Sequence, residues 1–448
     1  MAEKPTVHIV HHVDTEGPLC EPLNELFERI ENTLGIPLNL LPTAENLQLI
    51  QSGKYTLNDE ATDALLKKLT DPKLLDFKNG WGEVDEMLDR ILSPEFRNSF
   101  RDSKGKGWLY NWHLLDHVGF ETNPRFRAMG YGHVFNFYKQ KLSVTGSNQD
   151  SLQWHFHPIP FNKAAHTSAI SYMNSAYELQ QVMCRRLIDH NWFPVVNRAG
   201  FHTVRPDSNW WLEQWLPFDA SNQSMNNDNT AFNDNINGRF GDWRGAPDTW
   251  ELYHPDWSDW RKKGNMNRTI ARCLNMNTRF RNISTIELEK AFNLAQSSGK
   301  DVYVGITNHD FREMSTEISA FYDLLIPVAS QYADVDFSFS ETVQAFQACL
   351  DIDVDEKATN KLKFSIALND DTLKVSIENG VLFGPQPFIA ILTHEGRYIT
   401  DNFNFGEQGS GEYFYTFDFL TIPLENIKSI AVASNDRYGN TCIQRINL

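Results

Sequence analysis

The segment Val7-His8-Ile9-Val10-His11-His12-Val13-Asp14-Thr15-Glu16-Gly17-Pro18 decides the predicted fold. It is apolar and β-branched, and a Gly-Pro turn follows at once, which is typical of a buried strand that ends there. Asp14 and Glu16 are two positions apart, so both side chains point to the same side of an extended backbone. Two carboxylates at the C-terminal end of a strand, beside histidines, form half of a metal site with a general base. This placement indicates a hydrolase of the α/β-barrel kind.

Length and charge limit the class of protein. The chain has 448 residues, of which 41% are hydrophobic, and this favours two or three domains. The formal net charge of −17 argues against a nucleic-acid or anionic-membrane partner, because phosphate binding needs a basic surface. We expect no membrane span, because no stretch of about 18 apolar residues occurs. The first residues lack the pattern of a signal peptide, and the five cysteines are scattered, so we expect a reduced, cytoplasmic protein. The oligomeric state stays open.

Strand and helix patterns alternate along the first 350 residues. Leu23 to Leu34 has helical spacing, and Gly35 ends the helix. Residues 37–107 are interpreted as a mostly helical insertion. Alternation of this kind predicts parallel strands with crossover helices. Later predicted strands are 108–112, 152–157, 193–197, 301–307 and 335–339. Later predicted helices are 168–190, 284–299 and 341–350, with a further helix between residues 310 and 335.

The pattern changes near residue 361. Short alternating segments such as Lys361 to Leu368 recur between Asn-Asp-Asp, Glu-Asn-Gly and Gly-Ser-Gly turns. This predicts a small antiparallel β-sandwich. With residues 351–357 as the linker, the predicted domains are residues 1–350 and residues 358–448.

Polar residues stand where the predicted strands end. In a parallel barrel the C-terminal ends of all strands lie on one face, where catalytic groups are built. Two histidines and a carboxylate around an open position are typical of a catalytic divalent-metal site, with Zn²⁺ as the leading candidate. The strand-end residues are Asp14, Glu16, His155, His157, Arg198, His309 and Asp310.

In chain order, these segments resemble the motifs of the polysaccharide deacetylase superfamily, the NodB-type carbohydrate esterases. Residues 13–18 resemble the first motif, which supplies the base and an acidic metal ligand. Residues 154–158 resemble the second, with two metal-binding histidines, and residues 197–200 the third, with an arginine that orients the base. Residues 307–310 resemble the last, whose histidine is the general acid. The resemblance spans residues 7–345 and implies a distorted (β/α) barrel of about seven strands.

The motifs depart from the family in two places. The common first motif has adjacent aspartates, whereas this chain has Asp14 and Glu16 with one residue between them. Either could be the base, and we favour Asp14 as the base and Glu16 as the metal ligand, because Glu16 directly precedes Gly-Pro, as the family's metal aspartate does. The family spaces its two histidines four apart, whereas His155 and His157 are two apart. A changed substrate or a lost metal is compatible with these departures.

The resemblance implies a metal-dependent hydrolase that removes an N-acyl group from a carbohydrate with metal-activated water. Asp14 is the expected base, Arg198 orients it, and His309 is the expected acid. Glu16, His155 and His157 are the expected ligands of the divalent metal. Two alternatives stay open. One is an amide hydrolase acting on a small non-sugar substrate, and the other is a metal-free carbohydrate-binding or scaffolding protein that uses its sandwich for recognition.

Tryptophans between Trp192 and Trp260 lie near a loop rich in asparagine (Asn222 to Asn237). Indole faces stack on sugar rings and amides bind hydroxyls, so this composition favours a carbohydrate cleft. The proposed substrate contacts are Trp154, Trp211 and Trp243. The alternative is that most of the tryptophans pack in the core and that the loop is a connector. Lesser site candidates are His8, His11, His12, Asp116 and His117.

Overall fold

The computed structural model of the chain describes residues 4–167, 169, 171–225 and 241–448. Across these residues, seven parallel strands close into a barrel. They are β1 (Thr6–Thr15), β2 (Asn111–Leu114), β3 (Ser151–Phe156), β4 (Val196–Ala199), β5 (Phe218–Asn222), β6 (Thr269–Asn275) and β7 (Val302–His309). Strand β1 closes the barrel, because it pairs with β7 along most of its length and with β2 through its C-terminal half. An eighth strand, β8 (Asp336–Phe339), pairs with the N-terminal half of β1.

Helices pack around the barrel and build the insertion. Gly35, in the left-handed conformation, ends the helix that begins at Leu23. The Ser284 side chain caps the helix that begins at Thr285 by accepting a hydrogen bond from the backbone N–H of Glu287. The helices of the described chain are α1 (Leu23–Leu34), α2 (Ala44–Gln51), α3 (Glu60–Leu69), α4 (Pro72–Leu75), α5 (Trp81–Leu92), α6 (Pro94–Ser99), α7 (His133–Val144), α8 (Ala176–His190), α9 (Pro206–Trp215), α10 (Thr285–Ser298), α11 (Met314–Ala329), α12 (Thr342–Cys349) and α13 (Val354–Thr359).

Residues 361–448, all of them described, form two four-stranded antiparallel sheets. One sheet contains β9 (Lys363–Asn369), β10 (Thr372–Asn379), β13 (Asn404–Phe405) and β14 (Glu412–Thr416). The other contains β11 (Phe388–Thr393), β12 (Tyr398–Ile399), β15 (Ile427–Asn435) and β16 (Thr441–Asn447). Apolar residues of both sheets share one core. The predicted α/β barrel with a helical insertion and a C-terminal sandwich is therefore confirmed.

The sandwich docks on the barrel through the second sheet. Phe388 and Ala431 belong to a core shared with Leu179 and Val182 of α8. The Asn435 amide donates to the backbone oxygen of Pro194, just before β4, at 2.7 Å. The docking surface therefore lies toward the N-terminal end of β4, at the opposite end of that strand from Arg198.

Several predicted boundaries shift, and some elements were missed. Strand β2 begins at Asn111 rather than Trp108, and α13 occupies much of the predicted linker. The helix predicted from Ser168 begins at Ala176, while Ser168 itself lies outside the described residues. Strands β5 and β6 and helix α7 have no counterpart in the predictions.

Two further findings concern the helix lengths and the cysteines. Within the described ranges, no helix combines the length and the apolar character that a membrane crossing needs. Cys20, Cys184, Cys273, Cys349 and Cys442 are free thiols.

Candidate active site

The C-terminal ends of four barrel strands bring the predicted site residues together. Asp14 is in register with His309 across the β1–β7 pair, and His155 is in register with Arg198 across the β3–β4 pair. Glu16 follows β1 directly. The ligand atoms of Glu16, His155 and His157 lie within 4.8 Å of one another, and all three residues are buried. The closed barrel thus brings one carboxylate and two imidazoles together at the C-terminal ends of its strands.

The two histidines have the geometry of metal ligands. Their Nε2 atoms are 3.0 Å apart, and His157 Nε2 is 3.4 Å from Glu16 Oε1. Ligand atoms at about 2.0–2.1 Å from a tetrahedral zinc lie roughly 3.3 Å from one another, so these separations suit such an ion. His155 Nδ1 lies 2.7 Å from the backbone oxygen of Arg198 and donates to it, which leaves a lone pair on Nε2.

Burial fixes the protonation of this pair. Loss of solvent lowers the pKa of His155 and of His157 to about 3. Both rings are therefore neutral at pH 7, which is the form that binds a divalent cation.

Asp14 is held as a buried, ionised carboxylate. Burial raises the pKa of Asp14, but the charge of Arg198 and the hydrogen bond from it outweigh this and hold the pKa well below its usual range. Arg198 Nε donates to Asp14 Oδ1 at 2.6 Å, and Arg198 Nη1 donates to the Ala220 backbone oxygen at 3.0 Å. The arginine therefore fixes one oxygen of Asp14, and Oδ2 is left toward His309.

His309 ends strand β7, on the opposite side of the site from His155 and His157 at the end of strand β3. Its Nε2 is 3.9 Å from Asp14 Oδ2 and 3.7 Å from Glu16 Oε1, and its side chain keeps 20% exposure. Its ring stacks on Phe311 with 4.8 Å between the ring centres. Burial lowers the pKa of His309 well below its usual value, so the ring is neutral at pH 7.

A second layer of residues holds Glu16 in place. Asp310 accepts from the backbone amides of Glu16 and Gly17, each at 2.9 Å, and from the Tyr138 hydroxyl at 2.8 Å. Burial raises the pKa of Asp310 to about 7. Arg127 contacts Glu16 Oε2, so that Oε1 is the oxygen next to the histidines. Asp310, which the motif pattern placed in the last motif, thus shapes the turn that carries Glu16.

The segment after β4 encloses His157. A Cβ at Gly200 would lie 2.2 Å from His157 Cδ2, so only glycine fits against this ring. The Phe201 ring packs on His157 with 4.7 Å between centres. Phe201 and His202 both have positive φ angles, of 51° and 54°, which is a strained conformation for residues with side chains. His202 lines the cleft and was not predicted, although it directly follows the third motif.

A cleft with a cavity volume of about 160 Å³ opens over Asp14, Glu16, His155 and His309. One wall is apolar and comes largely from the helical insertion, which was predicted without a function. Its residues are Leu19, Leu69, Leu74, Leu75 and Phe77.

The predicted tryptophan contacts lie elsewhere. Trp154 and Trp243 are each 1% exposed and belong to apolar cores. Trp154 alternates with His155 along β3, so when the histidine faces into the barrel, the indole faces the outer helices. Trp211 packs on Tyr172 beside the same core. The structure places none of the three in the cleft lining. Of the asparagine-rich loop, Asn222 binds the Pro247 backbone oxygen, and the asparagines from 226 to 237 lie outside the described residues.

The lesser histidine candidates have structural partners inside the barrel. His11 bridges the Trp108 indole and Asn308, each at 2.9 Å. His12 bridges His113 at 2.7 Å and Tyr303 at 2.9 Å. These rings belong to the polar interior beneath the site rather than to the ligand set.

The other lesser candidates also bind neighbouring structure. His8 contacts Ser340 and Asp301 at the N-terminal end of β1. Asp116 binds Arg186 at 2.9 Å, and His117 Nδ1 donates to the Ala128 backbone oxygen at 3.0 Å. Neither Asp116 nor His117 is among the cleft-lining residues.

Comparisons of the chain with protein-family models, with curated proteins and with solved structures give no match. The resemblance to polysaccharide deacetylases therefore rests on the four sequence motifs alone. The geometry of the site is an independent observation beside it.

Proposed function

We propose that the protein is a metal-dependent hydrolase that removes an N-acyl group, such as acetyl, from a carbohydrate. One observation carries the proposal: the buried Glu16, His155 and His157 cluster lies directly beside the Asp14–Arg198 ion pair and His309. A metal-ligand set, a fixed carboxylate and an imidazole around one cleft are the parts that amide hydrolysis needs.

Glu16, His155 and His157 would hold the divalent cation, and Zn²⁺ suits this mixed nitrogen and oxygen donor set. When bound, such a cation lowers the pKa of water and polarises the acyl oxygen. Three protein ligands leave a coordination position open for the reaction, as catalytic zinc sites do.

The remaining residues move protons. Asp14 is ionised and takes a proton from the attacking water as the water oxygen bonds to the acyl carbon. His309 is neutral in the free protein. The proton that His309 delivers comes from Asp14, whose Oδ2 lies 3.9 Å from His309 Nε2. As the C–N bond breaks, His309 delivers this proton to the leaving nitrogen. The products are a carboxylic acid and an amine, and water supplies every added atom.

Acetate release from N-acetylated sugars tests this proposal in the zinc-loaded protein. Asp14→Asn and His309→Ala are expected to lower the rate by about 10²–10⁴-fold, since each removes a proton-transfer group. His8→Gln, at the other end of the same strand as Asp14, is the matched control and is expected to retain activity. Equal rates in all four proteins would contradict the assigned roles.

A small non-sugar N-acyl compound is a second candidate substrate. The apolar wall of Leu69, Leu74 and Phe77 favours it, and so does the position of the three tryptophans away from the cleft. Parallel assays with N-acetyl amino acids separate the two substrate classes. We also propose a cytoplasmic location, which the five free thiols support.

A further inference from the structure

We infer that the substrate carries an anionic group, a carboxylate or a phosphate, which arginines of the cleft bind. This inference rests on the proposed function only in taking the cleft over Asp14 and Glu16 as the place where substrate binds. It adds a substrate class that the four motifs do not indicate.

The charge of the cleft is opposite to that of the chain. Among the described residues, six arginines and three carboxylates line it, an excess of three positive charges. The whole chain has a formal net charge of −17. The carboxylates are Asp14, Glu16 and Glu21, and the arginines are Arg29, Arg125, Arg127, Arg279, Arg281 and Arg312. A concentrated positive lining in an acidic protein attracts an anion to this one place.

The carboxylates of the site leave part of the arginine hydrogen-bonding capacity unused. Glu21 accepts from Arg29 at 2.8 and 2.9 Å and lies 3.0 Å from Arg125. Arg127 contacts Glu16, and Arg312 lies 3.2 Å from Glu317.

Even so, four buried N–H groups of these side chains have no acceptor within the described part of the chain. They are Arg29 Nη1, Arg125 Nε, Arg127 Nε and Arg312 Nη2. Buried guanidinium N–H groups are normally hydrogen-bonded, and a planar or tetrahedral oxyanion supplies several acceptors at once.

Two further arginines, Arg279 and Arg281, lie on a loop that internal hydrogen bonds hold rigid. The arginine loop, residues 276–282, follows β6. Thr278 and Asn282 are joined by reciprocal hydrogen bonds, from the Thr278 amide at 2.9 Å and from the Asn282 side chain to the Thr278 oxygen at 2.8 Å. Asn275 binds the backbone oxygens of Phe280 and Arg281, both at 2.9 Å.

Arg281 of this loop has a φ of 56°, a conformation that non-glycine residues seldom adopt. Strained backbone of this kind persists where the surrounding structure enforces it, and it clusters at binding sites. The loop therefore holds Arg279 and Arg281 against the cleft on a fixed backbone.

The rest of the cleft lining defines the other part of the substrate. The apolar wall from the insertion faces the same cavity as the arginines. The substrate class is therefore an N-acyl compound with an acidic group, and this holds for a sugar acid, a sugar phosphate or an N-acyl amino acid.

Isothermal titration of the full chain with matched ligands tests the inference. The neutral ligands are N-acetylglucosamine and N-acetyl-leucinamide. The charged ligands are N-acetylmuramic acid, N-acetylglucosamine 6-phosphate and N-acetyl-leucine. Each charged ligand that fits the cleft is expected to bind roughly 10- to 100-fold more tightly than its neutral counterpart, the value of one or more added charge-assisted hydrogen bonds. The carboxylate and phosphate arms show which oxyanion is preferred.

Arg281→Gln and Arg279→Gln are expected to remove most of this preference, while Arg101→Gln, an exposed arginine outside the cleft, leaves it unchanged. Two single variants keep the test valid if the strained position of Arg281 does not tolerate exchange. Equal binding of charged and neutral ligands, or a preference that both cleft variants retain, overturns the inference.

The same titration with EDTA-treated protein separates this inference from the proposed function. Binding that keeps its charge preference without metal, in a protein that never hydrolyses an amide, supports the anion site and contradicts the enzyme. Hydrolysis of neutral N-acetyl sugars without any charge preference supports the enzyme and contradicts the anion site.

Discussion

Gly200→Ala is the substitution whose effect on the candidate metal site follows most directly from distances. The new Cβ would lie 2.2 Å from His157 Cδ2 and 2.6 Å from the Phe156 backbone oxygen. Ordinary van der Waals contact begins at 3.4 Å, so the imidazole has to move by about 1.2 Å. A metal site tolerates deviations of only about 0.2 Å in ligand distance. The variant therefore loses His157 as a ligand.

We expect zinc affinity to fall by at least about 10- to 100-fold, the range seen when the supports of a metal ligand are removed. The free energy of unfolding should fall by about 1–3 kcal/mol, as for other overpacked interiors. Competition with a chelating dye measures the affinity, and urea denaturation of the metal-free protein measures the stability.

Gly82→Ala is the control for this experiment. Its Cβ would meet nothing within 4 Å, and it lies in helix α5, where alanine is favoured by roughly 0.5–1 kcal/mol. It should keep wild-type zinc affinity. If Gly200→Ala also keeps wild-type affinity while remaining folded, His157 is not a ligand and the assigned site is wrong.

Three other changes test neighbouring parts of the site. Arg198→Met should lower the free energy of unfolding by about 3–5 kcal/mol, because it leaves Asp14 buried without its partner. Adding Asp14→Asn should restore part of the lost stability. A double variant no more stable than Arg198→Met alone would refute the pairing. Asp310→Asn should weaken zinc binding by about 10- to 100-fold, since the amide cannot accept from both backbone donors and the Tyr138 hydroxyl; dye competition showing unchanged affinity would remove Asp310 from the support of Glu16. Saturating zinc at about 100 times its Kd should stabilise the wild type by about 2.7 kcal/mol and His155→Gln by much less, as thermal unfolding can show; equal shifts in both would place the zinc elsewhere.

The sequence predicted strands in which apolar residues recur and after which a turn or a proline follows. Strands β1, β3 and β7 are of this kind, and they carry Asp14, His155 and His309. Their alternation also predicted that polar residues at strand ends would meet, because parallel strands end on one face of a barrel.

The missed strands contain buried polar residues. Asp219 and Ser221 in β5 and Arg272 in β6 are buried, which breaks the apolar pattern on which strand prediction depends. Arg272 is paired with Glu287 of α10, a contact that no local pattern indicates. Buried ion pairs between distant elements are therefore what hid these two strands.

The cleft lining was beyond sequence prediction for a related reason. Its arginines come from segments as distant in the chain as Arg29 and Arg312, and no local spacing connects them. The tryptophans between Trp192 and Trp260, in contrast, form a conspicuous cluster in sequence, yet Trp243 and Trp250 are buried in apolar cores. Composition indicated a sugar cleft, whereas none of the three proposed contacts, Trp154, Trp211 and Trp243, lines the cleft.

Metal analysis of the purified full chain tests the central claim most directly. After zinc reconstitution and dialysis, the wild type should retain near-stoichiometric zinc, Glu16→Gln should lose most of it, and Asp14→Asn should keep it, because Glu16 lies with the two histidines whereas Asp14 is paired with Arg198. A wild type without zinc after reconstitution would contradict the metal site. Loss of zinc in Asp14→Asn with retention in Glu16→Gln would contradict the division of roles between the two carboxylates.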